Sequence, residues 1–253
     1  MALLSRLGNL IKHGAYVPTE YYVRDDSRAV YIPVPKVACT SIKEAFYEIS
    51  PSGQRYEEYM EIHKRLSANA TYSLKSEHLC YFKFAFVRNP FDRLVSCYKD
   101  KVRKELQHNG RYYFDTRYAK FLLRGASGFS FRPSMTFSDF VLAVSRIPDA
   151  LADGHFRSQY HYLYREPTCC PDYIGRFENA DSDWVYIRKR LGLPSIKRRN
   201  ETASVDLSSW YEDISLIEIV RKRYWQDIDM WYLSDYESLR KKAIGSISRI
   251  KGI

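Results

Sequence analysis

Glycine is missing from the place in this sequence where it would be most expected. None lies between Gly14 and Gly53, a span containing "YIPVPKVACTSIKEAF", residues 31–46, which begins as a strand and ends as a helix. Loops that cradle a nucleotide triphosphate rely on glycine for close approach, in the pattern G-x-x-x-x-G-K-[ST]. That pattern does not occur, which speaks against a kinase. The five cysteines, Cys39, Cys80, Cys97, Cys169 and Cys170, are odd in number and form no CxxC pair. A disulfide frame or a zinc site is therefore not expected, and the cysteines read as reduced thiols. No stretch reaches the roughly 18 apolar residues of a membrane span. The first residues, "MALLSRLGNLIKHGAYVPTEYY", lack a cleavage site, and Arg6, Gly8 and Lys12 break their apolar run, so a signal peptide is not expected. They suit a frayed amphipathic start or a short interfacial helix in peripheral contact with a membrane. Internal repeats, low-complexity blocks and flexible linkers are also absent.

What is present is a folded, basic protein. The chain has 253 residues, 45% of them apolar, with a formal net charge of +10. This is enough to bury a sizeable core, and the charge balance points to an anionic partner. Short β-rich runs alternate with helical patterns. "AVYIPV" is followed by a helix with Ile42, Ala45, Phe46 and Ile49 on one face. The buried strand "YFKFAFV" leads into a helix capped by Asn89 and Pro90. "PDYIGRFE" reads as a third strand, "DSDWVYIRKRLG" as a capped helix ending at Gly192, and "DISLIEIVRKRYWQDIDMWY" as one long helix. The alternation implies an α/β fold: one domain over residues 1–253, a P-loop-like parallel sheet flanked by helices. Its core spans about 28–240, behind a peripheral segment of residues 1–27.

The loop after the first strand reads as an anion cradle. Backbone N–H groups at a helix start, together with the helix dipole, attract negative charge. Lys36 adds a cation, and Cys39, Thr40 and Ser41 stand at the helix entrance with Ala38 at the tightest point. A lysine-first loop of this length suits one terminal phosphate. An ordinary strand-to-helix turn with a solvated lysine would look much the same. A second motif, "FKFAFVRNPFDRLVSCYKDK", places Arg88 at the C-terminal end of a buried strand, where parallel α/β sheets bind ligands, and Ser96 two turns into the next helix. Arginine's planar fork suits phosphate, although pairing to a carboxylate such as Asp92 would also explain it. Two phosphate sites on adjacent strands suggest a nucleotide phosphorylated at both ends of its ribose.

"PKVACTSIK" and "RNPFDRLVSCYKDK" resemble the two phosphate-binding motifs of the sulfotransferases, and most of all those of the Golgi carbohydrate sulfotransferases and their bacterial relatives. "DYIGRFEN" and "YWQDIDMWYLSDY" resemble later signatures of that family, so the similarity runs from about residue 30 to 240. The resemblance implies sulfuryl transfer from 3′-phosphoadenosine 5′-phosphosulfate, without metal, to a hydroxyl of a carbohydrate acceptor. It implies that Lys36 steadies the bridging oxygen as the sulfuryl group leaves. Ala38, Cys39, Thr40 and Ser41 would wrap the 5′-phosphate, and Arg88 and Ser96 would hold the 3′-phosphate. The family often has glycine where Ala38 stands. Golgi members carry a membrane anchor, and its lack here points to a cytoplasmic enzyme of bacterial type.

The acceptor hydroxyl must lose a proton, and histidine titrates in the right range. Of six histidines, His63 is the first choice, because several sulfotransferase groups carry a base histidine ahead of the Arg88 strand. His155, in an "H-aromatic-x-x-Q" segment resembling the carbohydrate enzymes, is second, as base or acceptor ligand; His78 is third. The basic loop Lys197, Arg198, Arg199 would cover the nucleotide or meet an anionic glycan, or is simply solvated. Two rival classes stand beside this reading. A metal-dependent glycosyltransferase would use a D-x-D pair, for which Asp181/Asp183 and Asp227/Asp229 are available; the first reads as a helix N-cap, and the second lies within a helix, where residues two apart do not share a face. A nucleic-acid-binding protein would explain the charge, but no binding module is recognisable, and nucleic acid is not the expected partner.

Overall fold

The computed structural model describes residues 19–48, 65–103, 131, 135–165, 167–196 and 206–250. Along the chain these form strands β1 (Tyr21–Arg24) and β2 (Ala29–Ile32), helix α1 (Cys39–Phe46), strands β3 (Ala70–Thr71) and β4 (Phe82–Val87), and helices α2 (Pro90–Tyr98), α3 (Phe137–Ser145) and α4 (Gln159–Tyr164). Strand β5 (Tyr173–Arg176) comes next, then helices α5 (Ala180–Leu191), α6 (Ile214–Arg223) and α7 (Leu233–Ile250). Two compact units divide the chain. A sheet unit comprises Pro18–Arg88 and Gln159–Thr202, and a helical unit Asn89–Ser158 and Ala203–Ile253. His63 and the basic loop Lys197, Arg198, Arg199 lie outside the described residues.

The sheet unit holds five strands in the order β3-β1-β2-β4-β5. Phe84, Ala85, Phe86 and Val87 are all buried, so β4 has no solvent face and takes an interior position. It runs parallel to β2 and to β5, with Ile32 opposite Ala85 and Val87 opposite Arg176. The α/β class and its parallel centre agree with the sequence. The edge beyond β2 differs, because β1 pairs antiparallel with both β2 and β3. Only the turn Asp25–Arg28 separates β1 from β2, a hairpin length that cannot hold a crossover. Arg28 takes a left-handed φ of 47° there, and its N–H donates to the Asp25 carbonyl at 3.2 Å. Tyr21 and Tyr22 of β1 are buried, so part of the stretch expected to be peripheral lies in the core.

Aromatic rings fill the space over this sheet. Phe84 stacks on Tyr31 at 5.1 Å and meets Phe46 of α1 edge-on at 5.6 Å and Trp184 of α5 at 6.4 Å. Gly175 of β5 passes so close to Phe86 that a Cβ there would stand 2.4 Å from the ring. Helix α5 stops where Gly192 takes a φ of 68°, as its glycine implied. Its N-cap position is Asn179, so Asp181 and Asp183 lie in the first turn and are not the cap.

The helical unit has its own core, built from Phe91, Leu94 and Val95 of α2, Phe140, Val141 and Val144 of α3, and Ile217 and Val220 of α6. Asn89 caps α2 by accepting the Phe91 N–H at 3.0 Å, with Pro90 at the first turn, as expected. The long helix expected after Asp213 is interrupted. Tyr224 leaves helical geometry at φ −117° and ψ 34°, and a wide π-helical turn, Ile228–Tyr232, leads into α7. The cause is tertiary: the buried Tyr224 hydroxyl reaches across to donate to the Phe156 carbonyl at 2.5 Å. Among the described residues no helix is long and apolar enough to cross a membrane.

Candidate functional site

The Lys36 loop joins β2 to α1 at the C-terminal end of a parallel strand, where residues 33–38 must reverse direction within a few ångströms. Two residues without glycine's freedom take left-handed backbone there: Lys36 at φ 71° and Ala38 at φ 50°. Each such position costs on the order of 1–3 kcal/mol and persists only where its surroundings hold it. The missing glycine is thus met by strain rather than by a different loop path. Ala38 occupies the N-cap of α1 but offers no side-chain cap, and no acidic residue stands in the first turn. The helix start therefore keeps its positive end turned to the loop. Cys39 and Thr40 are half-buried and Ser41 is buried at this end of α1. Val37, 1% exposed, anchors the loop from within.

Arg88 stands at the end of β4 and is itself buried. Its Nη1 donates to the Lys36 carbonyl at 3.0 Å, and its guanidinium lies 4.2 Å from the centre of the Phe177 ring. This brings together the two residues that the sequence placed in separate motifs. Fifty-two residues apart in the chain, Lys36 and Arg88 meet because β2 and β4 are parallel neighbours. The backbone of Arg88 is held as well. The Gln159 side chain accepts its N–H at 2.8 Å and donates to its carbonyl at 2.8 Å. Buried backbone groups left unpaired at a strand end would cost about 1–3 kcal/mol each. Phe177 was not singled out in the sequence, and Gln159 was noted only as the last position of the "H-aromatic-x-x-Q" segment, with no role. Both lie in segments that were singled out, "HFRSQ" and "GRFEN", but their role depends on contacts that chain spacing does not reveal.

Ser96 lies in α2 of the helical unit and is half-buried. His155 belongs to the same unit, in a heavily tied segment. Its Nδ1 is 2.7 Å from Asp153 Oδ1, which also accepts the His155 backbone N–H at 2.9 Å. Burial alone would raise the Asp153 carboxyl, but the hydrogen bond and charge of His155, helped by Arg157, hold it below the usual range. Buried Arg157 donates through Nη2 to the Ala152 carbonyl at 2.9 Å, and Arg93 donates to the carbonyls of Arg157 at 2.6 Å and Gly154 at 3.0 Å. Asp149 accepts the Ser158 N–H at 2.9 Å and an Arg223 N–H at 2.6 Å. Burial pushes the Asp149 carboxyl up, but Arg223 and Ser158 outweigh it and hold it low. His78 sits before the N-terminal end of β4, the opposite end from Arg88, where its Nδ1 accepts the Lys75 N–H at 3.4 Å.

The rival carboxylates have other work. Asp183 accepts from the Arg176 N–H at 2.6 Å and the Tyr173 hydroxyl at 3.0 Å, and Asp229 pairs with Arg221 at 2.5 Å. Asp227 is fully buried. Among the described residues no three His, Cys, Asp or Glu side chains gather as a metal-binding group.

Comparison with known proteins agrees with the family resemblance. The chain is 27% identical to carbohydrate sulfotransferase 11 of Rattus norvegicus over 220 residues, covering 76% of this chain and 60% of the rat protein. It is 27% identical to carbohydrate sulfotransferase 14 of Danio rerio, covering 76% of this chain and 52% of that relative. It is also 27% identical to carbohydrate sulfotransferase 12 of Mus musculus, covering 77% and 54%. The chain thus spans little more than half the length of these relatives. No solved structure matches it. The expectation of a cytoplasmic, bacterial enzyme is overturned, since these relatives are carbohydrate sulfotransferases of rat, zebrafish and mouse. That expectation rested on a missing anchor, which a match to part of each relative does not decide. The model of the sulfotransferase family matches residues 19–233, most of the chain, and the chain belongs to that family.

Proposed function

We propose that this chain transfers a sulfuryl group from 3′-phosphoadenosine 5′-phosphosulfate to a hydroxyl of a carbohydrate. The observation that carries the reading is the hydrogen bond from Arg88 to the Lys36 carbonyl, which joins two cationic elements at the C-terminal ends of adjacent parallel strands. A nucleotide with phosphates on both sides of its ribose needs two such elements close together. The strained loop and the uncapped start of α1 fit its 5′ end, with Lys36, Ala38, Cys39, Thr40 and Ser41 as the wrapping residues. Arg88 fits its 3′-phosphate, and Ser96 is assigned to that phosphate by resemblance alone.

In the reaction an acceptor oxygen forms a bond to sulfur while the bond from sulfur to the bridging oxygen breaks. The electron pair leaves with the bisphosphate, and positive charge from Lys36 at the bridging oxygen lowers the barrier. The acceptor proton passes to a histidine. His63 is the candidate from sequence. The Asp153 carboxylate on Nδ1 favours His155, because it holds the ring in one orientation. The acceptor is read as carbohydrate from the names of the relatives, and the net charge of +10 favours an anionic one.

The test is incubation with donor carrying labelled sulfate and a panel of neutral and anionic glycans. Label should move to at least one glycan without added metal. Transfer of sugar from a sugar nucleotide in the presence of a divalent metal, with no movement of sulfate, would instead establish the glycosyltransferase reading.

A further inference from the structure

We infer that Gln159 is a positioning residue for recognition of the donor's 3′-phosphate, acting through Arg88. The inference deepens the proposed function and rests on it.

An arginine at a strand end is a poor selector by itself. Its side chain has four rotatable bonds, and the strand that carries it has just left its ladder: the β4–β5 pairing ends at Val87 opposite Arg176. The N–H and C=O of Arg88, the next residue, would both be buried beyond the reach of that pairing. Gln159 extends it. Its amide presents one acceptor and one donor in the same plane, and it uses the acceptor on the Arg88 N–H and the donor on the Arg88 C=O, each at 2.8 Å. This is the pairing a neighbouring strand would provide, delivered by one side chain from the first residue of α4. Gln159 is 0% exposed, so water does not compete for either bond.

The pair fixes the backbone of Arg88, and through it the direction in which the side chain leaves. The far end is fixed separately, by the face of Phe177 and by the Lys36 carbonyl. The guanidinium is therefore held at its root by Gln159 and at its head by the loop that would receive the other phosphate. If Gln159 is lost, the root loosens and the angle between the guanidinium and the loop is no longer set. Recognition of the second phosphate depends on that angle, whereas a phosphate on the loop alone does not. This separates positioning from mere support: support lowers stability for every ligand alike, but positioning lowers the advantage of the bisphosphate over the monophosphate.

The experiment is calorimetric titration of the full chain with adenosine 3′,5′-bisphosphate and with adenosine 5′-phosphate. Wild type is compared with Gln159→Met, which keeps the shape and removes both bonds, and Gln159→Leu, which removes both with a shorter apolar side chain. We expect wild type to prefer the bisphosphate, and each folded variant to lose roughly tenfold or more of that preference, on the scale of one charge-assisted hydrogen bond, with monophosphate affinity unchanged. If either variant folds and keeps the wild-type preference while melting earlier, Gln159 is only structural and the inference is overturned. If both fail to fold, the residue is a structural requirement and the inference is equally overturned. If wild type itself shows no preference for the bisphosphate, the donor reading fails first, and the inference falls with it.

Discussion

Two loops carry the candidate chemistry, and they are held in opposite ways. The Lys36 loop stores its shape in the backbone, with left-handed residues at 36 and 38 and an arginine drawn onto the Lys36 carbonyl. The segment from Asp149 to Ser158 stores its shape in side chains: Arg93, Arg157, Arg223 and Tyr224 all donate to its carbonyls or to Asp149. A loop shaped by its backbone tolerates replacement of its side chains. One shaped by side chains presents a fixed imidazole, and losing a tether disturbs the whole segment. Function and stability should therefore separate in the first and be entangled in the second.

The largest effect should come from the base. His155→Ala is expected to lose about 10²–10⁴-fold in turnover with bisphosphate binding intact. His63→Ala is the control; if it shows the loss and His155→Ala is near normal, His63 is the base. Next comes Lys36→Ala, expected to lower turnover by about 10²–10³-fold at saturating donor. Its urea midpoint should be nearly unchanged, and a large fall would break the comparison, because it would show that the lysine side chain shapes its loop.

Arg223→Ala should do the reverse. It strands Asp149 in a mostly buried site and should lower unfolding free energy by about 3 kcal/mol. Acid should act in the same region. Asp149 and Asp153 are both held below their ordinary values, so their contribution is complete above the unfolded value of about 3.9 and is lost as pH falls through the lower folded values. Hydrogen exchange should then open the 149–158 segment below about pH 4 before the sheet. Loss of the sheet first would contradict the assignment. The smallest effect is Ala38→Gly. Relief of left-handed backbone and added freedom in the unfolded chain nearly cancel, leaving at most about 1 kcal/mol in favour of glycine. A clear destabilisation would mean that the Ala38 methyl packs usefully.

How much of this the sequence revealed depended on distance along the chain. The β4–Asn89–Pro90–α2 passage and the Gly192 stop were legible because each is fixed within a few residues. The strand-to-helix form of the Lys36 loop was legible too, and the roles of its residues remain proposals. The hairpin of β1 was not, since "YYVR" precedes charged turn residues and looks like part of a polar lead-in. The break at Tyr224 was hidden because apolar periodicity continues through it, while the contact made there, to the Phe156 carbonyl, is 68 residues away. The role of Gln159, though the residue closes a quoted motif, was hidden for the same reason: its partner is 71 residues away. Asp153 was closer to hand, two residues before His155, as an aspartate that can turn back onto the following N–H.

The strand order has a consequence for synthesis. β4 is finished when Val87 leaves the ribosome, but its partner β5 is complete only at Arg176, 89 residues later (176 − 87). At 5–20 residues per second, the nascent chain carries an unpartnered "FKFAFV" edge for roughly 4 to 18 s. Such an edge is a template for pairing with other chains. The segment Asn89–Ser158 emerges during that interval. The rest of the helical unit, Ala203–Ile253, follows only after β5, so expression yield should fall when synthesis between Val87 and Arg176 is slowed.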